Sequence, residues 1–114
     1  MPTITPKIDN SIFLLPRVIW EGAATGDTLE AWKLVDRDGL AGAVQAVGTF
    51  GGATVTLTAS NDGTNFTAVK DRYGSAMSFT SNGLAEFITS AGFIRPALAA
   101  GSANDIDIIV VLRG

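Results

Sequence analysis

The feature that most constrains the fold is residues 53–59, which read ATVTLTA between two clusters of turn-forming residues. Small or apolar residues alternate with threonine, so an extended chain would present Thr54, Thr56 and Thr58 on one side only. Strict alternation is typical of a strand with one buried face, and β-branched threonine suits the outer face of a sheet. The stretch therefore predicts a β-strand in a sheet with one solvated face.

Turn-forming residues stand on both sides of this predicted strand. A glycine pair at 51–52 precedes it, and an Asn-Asp-Gly sequence at 61–63 follows it. Glycine supplies positive φ angles, and asparagine and aspartate close turns through their side chains. Together with predicted strands at 43–50 and 66–70, these turns predict a three-stranded meander.

Short apolar segments separated by turn residues continue along the chain. Residues 76–80 and 94–99 predict strands, and Pro96 places the second near a sheet edge because proline lacks a backbone N–H. The segment 105–113 is apolar on both faces in its second half, which predicts a strand in the centre of a sheet that something else covers. The interpretation of 84–88 is open.

The signals before residue 36 are weaker. Residues 1–10 contain two prolines among alternating threonine and isoleucine, which predicts an extended arm, either frayed or laid on a neighbouring molecule. Residues 11–20 predict either two short strands or one edge strand that is bent at Pro16. Residues 29–35 fit either one strand or a two-turn helix.

These signals predict a single all-β domain. Short strands separated by turns every ~8–12 residues are typical of a β-sandwich or jelly roll, and we expect about eight of them with an extended N-terminal arm. Residues 1–20 would form the arm and the first strand or strands, and residues 21–114 the β-sandwich domain.

The composition indicates more apolar surface than a small domain usually carries. Hydrophobic residues make up 46% and charged residues 17% of the chain, and the mean hydropathy is +0.31. An average soluble domain has about 25% charged residues. Either the core is unusually large or part of the surface is buried against partners, and we favour the second interpretation because small domains have little interior volume.

Charge and hydrophobic length argue against two classes of partner. The net charge is −3 and basic residues do not cluster, so we expect no direct nucleic-acid binding. No apolar stretch approaches the ~20 residues of a membrane span, so we expect no membrane partner. The N-terminal segment lacks the basic start and apolar run of a secretory signal, so we expect folding in the compartment of synthesis.

The residue types available for chemistry predict that the protein is not an enzyme. The chain has no histidine and no cysteine, which removes the commonest general base, the thiolate nucleophile and the commonest transition-metal ligands. Asp105 and Asp107 share one face of a predicted strand and could contribute to a shallow calcium site, but charges that keep a strand end solvated are the favoured interpretation. We predict no catalytic, cofactor or metal site.

Three scattered aromatic residues, Trp20, Trp32 and Tyr73, leave one alternative open. Small β-sandwiches can bind sugars on an aromatic platform, although aromatic residues serve more often as core or interface anchors. A glycan-binding module is therefore the alternative from a different functional class.

Three segments of the sequence resemble a known family. They are GTFGGATVTLTASNDGTNF (48–66), GSAMSFTSNGL (74–84) and FIRPAL (93–98). The sequence resembles a family of small structural proteins of tailed bacteriophages, whose members share such a hairpin, a strand of the type LSFT, and a strand with an aromatic residue before Ile-Arg-Pro. The resemblance covers residues 26–114 and departs at Ala59, where the family is expected to have glycine.

The resemblance implies a virion component. It implies a decoration (cement) protein on the capsid exterior that binds the major capsid protein and copies of itself, and that is made in the cytoplasm of the bacterial host. A subunit associated with the tail, neck or fibres is the nearest alternative.

We expect partners to contact the arm, the first apolar segment, the tryptophans and the threonine face. An arm could add reach by lying across a neighbouring subunit, with its loss of entropy offset on docking. The candidate interface residues are Pro2, Ile4, Phe13, Leu14, Leu15, Trp20, Trp32, Thr54, Thr56 and Thr58.

Overall fold

A computed structural model describes residues 3–9, 17–33, 40–71, 73–75, 77–89 and 91–113, and within them the chain forms twelve β-strands and no helix. The prediction of an all-β fold is confirmed. About eight strands were expected, and five of the twelve observed are only two residues long. The strands are β1 (Thr3–Ile4), β2 (Lys7–Asp9), β3 (Arg17–Ala23), β4 (Thr28–Leu29), β5 (Trp32–Lys33), β6 (Leu40–Thr49), β7 (Thr54–Ser60), β8 (Thr67–Ala68), β9 (Ser78–Phe79), β10 (Gly83–Thr89), β11 (Phe93–Ala99) and β12 (Asp105–Arg113).

Most strands belong to two antiparallel sheets. The first sheet has the order β10-β6-β12-β3-β2, and the second has the order β5-β11-β7-β8 with β9 also paired to β7. Strands β1 and β4 form a separate parallel pair. Side chains from both sheets meet in one hydrophobic core, which is the arrangement of a β-sandwich.

Alternating side chains build this core. In β7, Val55 and Leu57 are buried while the threonines between them are half-buried on the other face. In β12, Ile106 and Ile108 are fully buried, and each such side chain stabilises the fold by about 2 kcal/mol. The strand β12 lies between β6 and β3, so its predicted central position is confirmed.

The predicted meander is half right. Strands β7 and β8 form the expected antiparallel pair, with Thr58 opposite Ala68. Strand β6, however, pairs with β10 and β12 in the first sheet, whereas β7 belongs to the second. The glycine pair at 51–52 is therefore a corner that carries the chain from one sheet to the other, because inter-sheet packing overrides the local hairpin signal.

Three weaker predictions are resolved by strand pairing. Residues 84–88 lie within β10. Residues 29–35 form neither one strand nor a helix in their described part, because β4 pairs with β1 and β5 pairs with β11. Pro96 does lie near an edge, since β5 pairs only with the first two residues of β11.

The N-terminal arm is extended but lies on its own chain. Strand β1 pairs with β4, and β2 pairs with β3 at the edge of the first sheet. Pro6 is buried between these two pairings. The prediction of a frayed or neighbour-bound arm is therefore wrong for residues 3–9. Strand β3 runs across residue 20 inside the first sheet, so the arm and the sandwich share that sheet.

Candidate docking surface

Strand β10 lies at one edge of the first sheet, and β6 is its one neighbour among the described strands. Phe87 is buried in the core, whereas the residues on either side of it in the alternation lie on the outer face. These outer residues are Leu84, Glu86 and Ile88, and they stand opposite Gln45, Ala43 and Ala41 of β6. The two alanines leave the longer side chains of β10 uncovered.

Three large hydrophobic side chains are exposed around this edge. The exposed fraction is 63% for Leu84, 64% for Ile88 and 84% for Tyr73. Exposed apolar side chains gathered at one place are typical of an interaction site in a small protein. We call Tyr73, Leu84, Glu86 and Ile88 the β10 surface.

A tight loop from Asp71 to Ser75 presents Tyr73. The backbone N–H groups of Tyr73 and Ser75 donate to Asp71 Oδ1 at 2.9 and 2.8 Å, and the N–H of Gly74 donates to Asp71 O at 3.0 Å. Aspartate commonly closes a turn in this way. The loop therefore holds the tyrosine outward through its own hydrogen bonds.

Two shallow grooves run along the outer side chains of β10. One has a volume of about 450 Å³ and extends from β10 across the alanines of β6 to Val111. The other, of about 250 Å³, lies between β10 and the residues Asp71 and Tyr73. Both grooves are lined by Leu84 and Glu86, so they form one continuous surface along the strand.

The outer face stays apolar toward the centre of the sheet. Ile109 and Val111 of β12 are half-buried on this face, because Ile108 and Val110 point into the core. Ile109 stands opposite Ile19 of β3. The second half of β12 thus adds to the apolar surface that begins at β10.

Trp20 was predicted as a contact residue, and the structure places it elsewhere. Its side chain is fully buried in the core, and its indole Nε1 donates to Glu30 O at 2.8 Å. This hydrogen bond replaces the one to water that the indole N–H loses when it is buried. The prediction of Trp20 at a docking surface is wrong.

The other predicted contact residues are distributed over the molecule. Ile4 and Trp32 are half-buried and pack against the core. The threonine face is half-buried on the outside of the second sheet, where Thr58 Oγ1 donates to Arg95 O. Its residues are Thr54, Thr56 and Thr58. Four further candidates lie outside the described residues, and their role stays a prediction: Pro2, Phe13, Leu14 and Leu15.

The three aromatic residues do not form one sugar-binding platform. Trp20 is buried, Trp32 lies in the second sheet, and Tyr73 lines a groove beside β10 of the first sheet. Aromatic platforms need exposed ring faces that a sugar can reach together. The glycan-binding alternative therefore loses the arrangement on which it depended.

One aspartate of β12, Asp107, has a structural partner. Asp107 Oδ1 accepts a hydrogen bond from Gly22 N at 2.8 Å, which fixes the irregular start of the β3–β12 pairing. Within the described residues, no group of three acidic, histidine or cysteine side chains could hold a metal ion. The geometry assigns Asp107 to strand pairing.

The corner between β6 and β7 packs against the loop that joins β11 to β12. A Cβ atom on Gly51 would overlap Ser102 O, and one on Gly101 would lie 2.5 Å from Ala53 N. Both glycines have positive φ, and Ser102 N donates to Gly51 O at 3.0 Å. The close approach of two backbones therefore requires glycine on both sides.

Asn104 ties this corner to a third loop. Its Oδ1 accepts from Thr25 N at 2.7 Å, and its Nδ2 donates to Thr25 Oγ1 at 2.9 Å and to Phe50 O at 3.2 Å. Thr25 Oγ1 in turn donates to Ala100 O at 2.6 Å. One nearly buried amide thus joins its own loop to two other connections at this end of the sandwich.

The turn after β7 is closed by its own side chains. Ser60 Oγ donates to Asp62 Oδ1 at 2.7 Å and accepts from Gly63 N at 3.0 Å. Asp62 Oδ1 also accepts from the backbone N–H of Asn65 and of Thr64, each at 2.8 Å. These hydrogen bonds, with that of Asn65 the strongest influence, hold the pKa of Asp62 well below its ordinary value of 3.8.

Sequence reasoning missed the β10 surface. The segment LAEFI at 84–88 is apolar at both alternations, so its period does not tell the buried face from the exposed one. The sequence pattern therefore does not indicate that Leu84 and Ile88 are exposed while Phe87 is buried. A net hydrophobic excess was the one signal that pointed to such a surface.

No protein-family model matches the chain, and no curated protein matches it.

Within the described residues, the structure contains no helix with the length and hydrophobicity needed to cross a membrane.

Proposed function

We propose that the protein is a structural component of a bacteriophage virion, a decoration protein that binds the outside of the capsid between major capsid subunits and stabilises the head. The observation that carries the proposal is the β10 surface, an exposed apolar strip on a small sandwich. The resemblance of residues 48–66, 74–84 and 93–98 to small phage structural proteins supports the same assignment.

The proposed mechanism is mechanical and needs no catalytic group. A protein that binds the assembled shell but not its separated subunits shifts the equilibrium toward the shell. An interface of ordinary size buries about 1,600 Å² in total, and the β10 surface with its apolar continuation toward β12 would supply part of one side. Repetition over the shell, with contacts between neighbouring copies, would multiply a modest affinity for each site.

Cosedimentation with capsids assembled without the protein tests this proposal. We expect saturable binding and a higher rupture temperature on heating. Leu84→Lys should abolish both effects, because it replaces one of the three exposed large apolar side chains of the β10 surface by a charge. The matched control is Thr64→Lys, which adds the same charge at an exposed position of the turn after β7.

Two outcomes would contradict the proposal. Wild-type protein that forms rings or tubes and ignores the shell would favour a tail or neck subunit. A change in tryptophan fluorescence with sugars, combined with no capsid binding, would favour the glycan-binding alternative.

A further inference from the structure

We infer that Asn82 is a site of spontaneous covalent modification. The backbone nitrogen of Gly83 displaces ammonia from the asparagine side chain, and water converts the product to aspartate or isoaspartate. The inference goes beyond the proposed function and does not depend on it. It concerns the turn that leads into β10, at the edge of the first sheet.

The residue that follows an asparagine controls how easily this reaction occurs. The backbone nitrogen of that residue must approach the side-chain carbon, and glycine hinders the approach least because it has no Cβ and the widest range of backbone angles. Asn82 is followed by Gly83, whereas the other three asparagines of the described residues are followed by aspartate or phenylalanine. These three are Asn61, Asn65 and Asn104. Residue type therefore selects Asn82 among the four.

Packing requires glycine at position 83. A Cβ atom there would lie 2.8 Å from Cδ1 of the buried Phe79 ring. Gly83 is also the first residue of β10, and it pairs with Ala46 at the end of the β6–β10 ladder. Strand ends open locally at little cost in free energy. The fold thus retains the residue that makes Asn82 reactive and places its nitrogen where the backbone can move.

The backbone N–H of Gly48 activates the side chain of Asn82. It donates to Asn82 Oδ1 at 3.0 Å, and Asn82 is an exposed residue. When a nitrogen attacks the side-chain carbon Cγ, negative charge develops on this oxygen. A backbone N–H that already points at the oxygen stabilises that charge. The hydrogen bond therefore favours the reaction as well as holding the turn.

Water reaches Asn82 through an open groove. The groove has a volume of about 410 Å³, and Asn82 lines it together with Gly48, Phe50, Thr80 and Ser81. Ammonia can leave and water can enter through this groove without any movement of the core.

The atoms of the reaction balance with water as the co-reactant. The nitrogen of Gly83 loses its proton to solvent and forms a bond to Asn82 Cγ. The bond from Cγ to Nδ2 breaks, and the leaving nitrogen takes up a proton and departs as ammonia. Water then opens the resulting five-membered ring. Cleavage between the ring nitrogen and Cγ gives aspartate, and cleavage between the ring nitrogen and the main-chain carbonyl carbon gives isoaspartate.

Asp62 is also followed by glycine, but it should not react in the same way. Hydrogen bonds, that of the Asn65 backbone foremost, hold the pKa of Asp62 well below its ordinary value. The carboxyl group therefore stays ionised, and an ionised carboxylate is a poor electrophile because it has no neutral group to expel. The pair Asp62–Gly63 serves as an internal control for the effect of the following glycine alone.

Peptide mass mapping of the full-length protein, incubated in heavy-oxygen water at mildly alkaline pH, tests the inference. Asn61 is the matched control, because it is exposed and its Oδ1 accepts from Gly92 N at 3.3 Å, but an aspartate follows it. Conversion at Asn82 should be at least about tenfold faster than at Asn61, which corresponds to a barrier lower by about 1.4 kcal/mol. Ring opening should place a heavy oxygen atom at position 82 and none at position 62.

A second measurement separates reaction of the folded protein from reaction of unfolded molecules. Urea at concentrations below the unfolding transition raises the unfolded fraction manyfold and leaves the native structure in place. The rate of conversion at Asn82 should stay constant to within about twofold over this range, because the folded protein itself reacts.

The outcomes are decisive. Conversion at Asn82 with incorporated heavy oxygen, at a rate that dilute urea does not change, supports the inference. An Asn82 that stays intact, or that converts no faster than Asn61, overturns it. A rate that rises in step with the unfolded fraction overturns it as well, because the reaction then belongs to the unfolded chain and not to this turn.

Discussion

The two turns that flank β7 look alike in sequence and are held in different ways. Both contain glycine at positive φ, and both read as hairpin turns. The turn at 60–65 is closed by Ser60 and Asp62, which lie within it. The corner at 50–53 has one turn hydrogen bond of its own, from Ala53 N to Phe50 O at 2.9 Å, and it also packs against the loop at 100–104, which is distant along the chain. Local hydrogen bonding specifies the first turn, and the second depends in addition on the meeting of two loops.

This difference teaches what a glycine at a turn means. A glycine that serves only the local backbone can be replaced at the cost of strain in φ. A glycine against which another backbone packs cannot be replaced without moving that backbone as well. The two kinds cannot be told apart from the neighbouring residues alone, but substitution distinguishes them.

The largest effect is expected for Gly101→Ala. The new Cβ would lie 2.5 Å from Ala53 N and 2.7 Å from Gly51 O, at a φ of 73°. Strain in φ and overpacking together should lower the free energy of unfolding by about 3 kcal/mol, measured by urea denaturation. Gly74→Ala is the matched control, because its φ is 86° but nothing lies within 4 Å of the added Cβ, and we expect a loss of about 1 kcal/mol. Equal losses of unfolding free energy in the two variants would show that the contact of the new Cβ with the facing loop adds no destabilisation.

The next effect in size is expected for Asn104→Ala. The change removes the partner of Thr25 N and one partner of Phe50 O, and it leaves polar groups of a nearly buried site without hydrogen bonds. The free energy of unfolding should fall by about 2 kcal/mol. Asn61→Ala removes a longer bond at an exposed site, from Gly92 N, and should cost less than about 0.5 kcal/mol. A reversed order would contradict the role of Asn104 in joining the loops.

A smaller effect is expected for Gly63→Ala in the self-closed turn. Its φ is 77°, and the added Cβ would lie 3.3 Å from Cζ of the Phe93 ring, which is a side chain that can shift. The loss should be about 1 kcal/mol in the same denaturation assay. If this variant were as unstable as Gly101→Ala, the contrast between the two turns would be lost.

The smallest effect is a pH dependence that comes from Asp62. Hydrogen bonds hold its pKa lower in the folded than in the unfolded protein, so the unfolded chain binds the proton more tightly. The contribution of Asp62 to the free energy of unfolding is therefore complete above the ordinary aspartate pKa. It is lost as the pH falls from about 5 through about 4 toward the lower pKa of Asp62 in the folded protein. Urea midpoints of wild type and Asp62→Asn at pH 7 and pH 3 measure it, and the wild type should lose more between the two. An equal loss in both proteins would assign the acid sensitivity to other carboxyl groups.

The fold was predictable to the extent that its signals were local. Alternation in 53–59 gave the strand and its buried face, and the double-sided hydrophobicity of 105–113 indicated a central strand. The corner at 51–52 was not predictable, because its partner loop lies far away in sequence. The arm was misplaced because proline and alternation predict extension but not the strand with which the chain pairs.

The candidate site was less predictable than the fold. Trp20 was a reasonable anchor by residue type, yet its N–H finds a backbone carbonyl inside the core. The interpretation of 84–88 was open, and the exposure of Leu84 and Ile88 follows from the position of β10 at a sheet edge. Position in a sheet depends on the pairing of distant strands, which a single sequence encodes only weakly.

The central place of β12 has a consequence for biosynthesis. It is the last of the twelve strands in chain order, yet it lies between β6 and β3 and is the strand that joins them in the first sheet. A ribosome adds about 5–20 residues per second. The edges of β3 and β6 that pair with β12 therefore stay unpaired until β12 has been synthesised. A nascent chain stalled before residue 105 would contain the strands of the β6–β10 and β2–β3 pairs but not the strand that joins these two pairs into the first sheet.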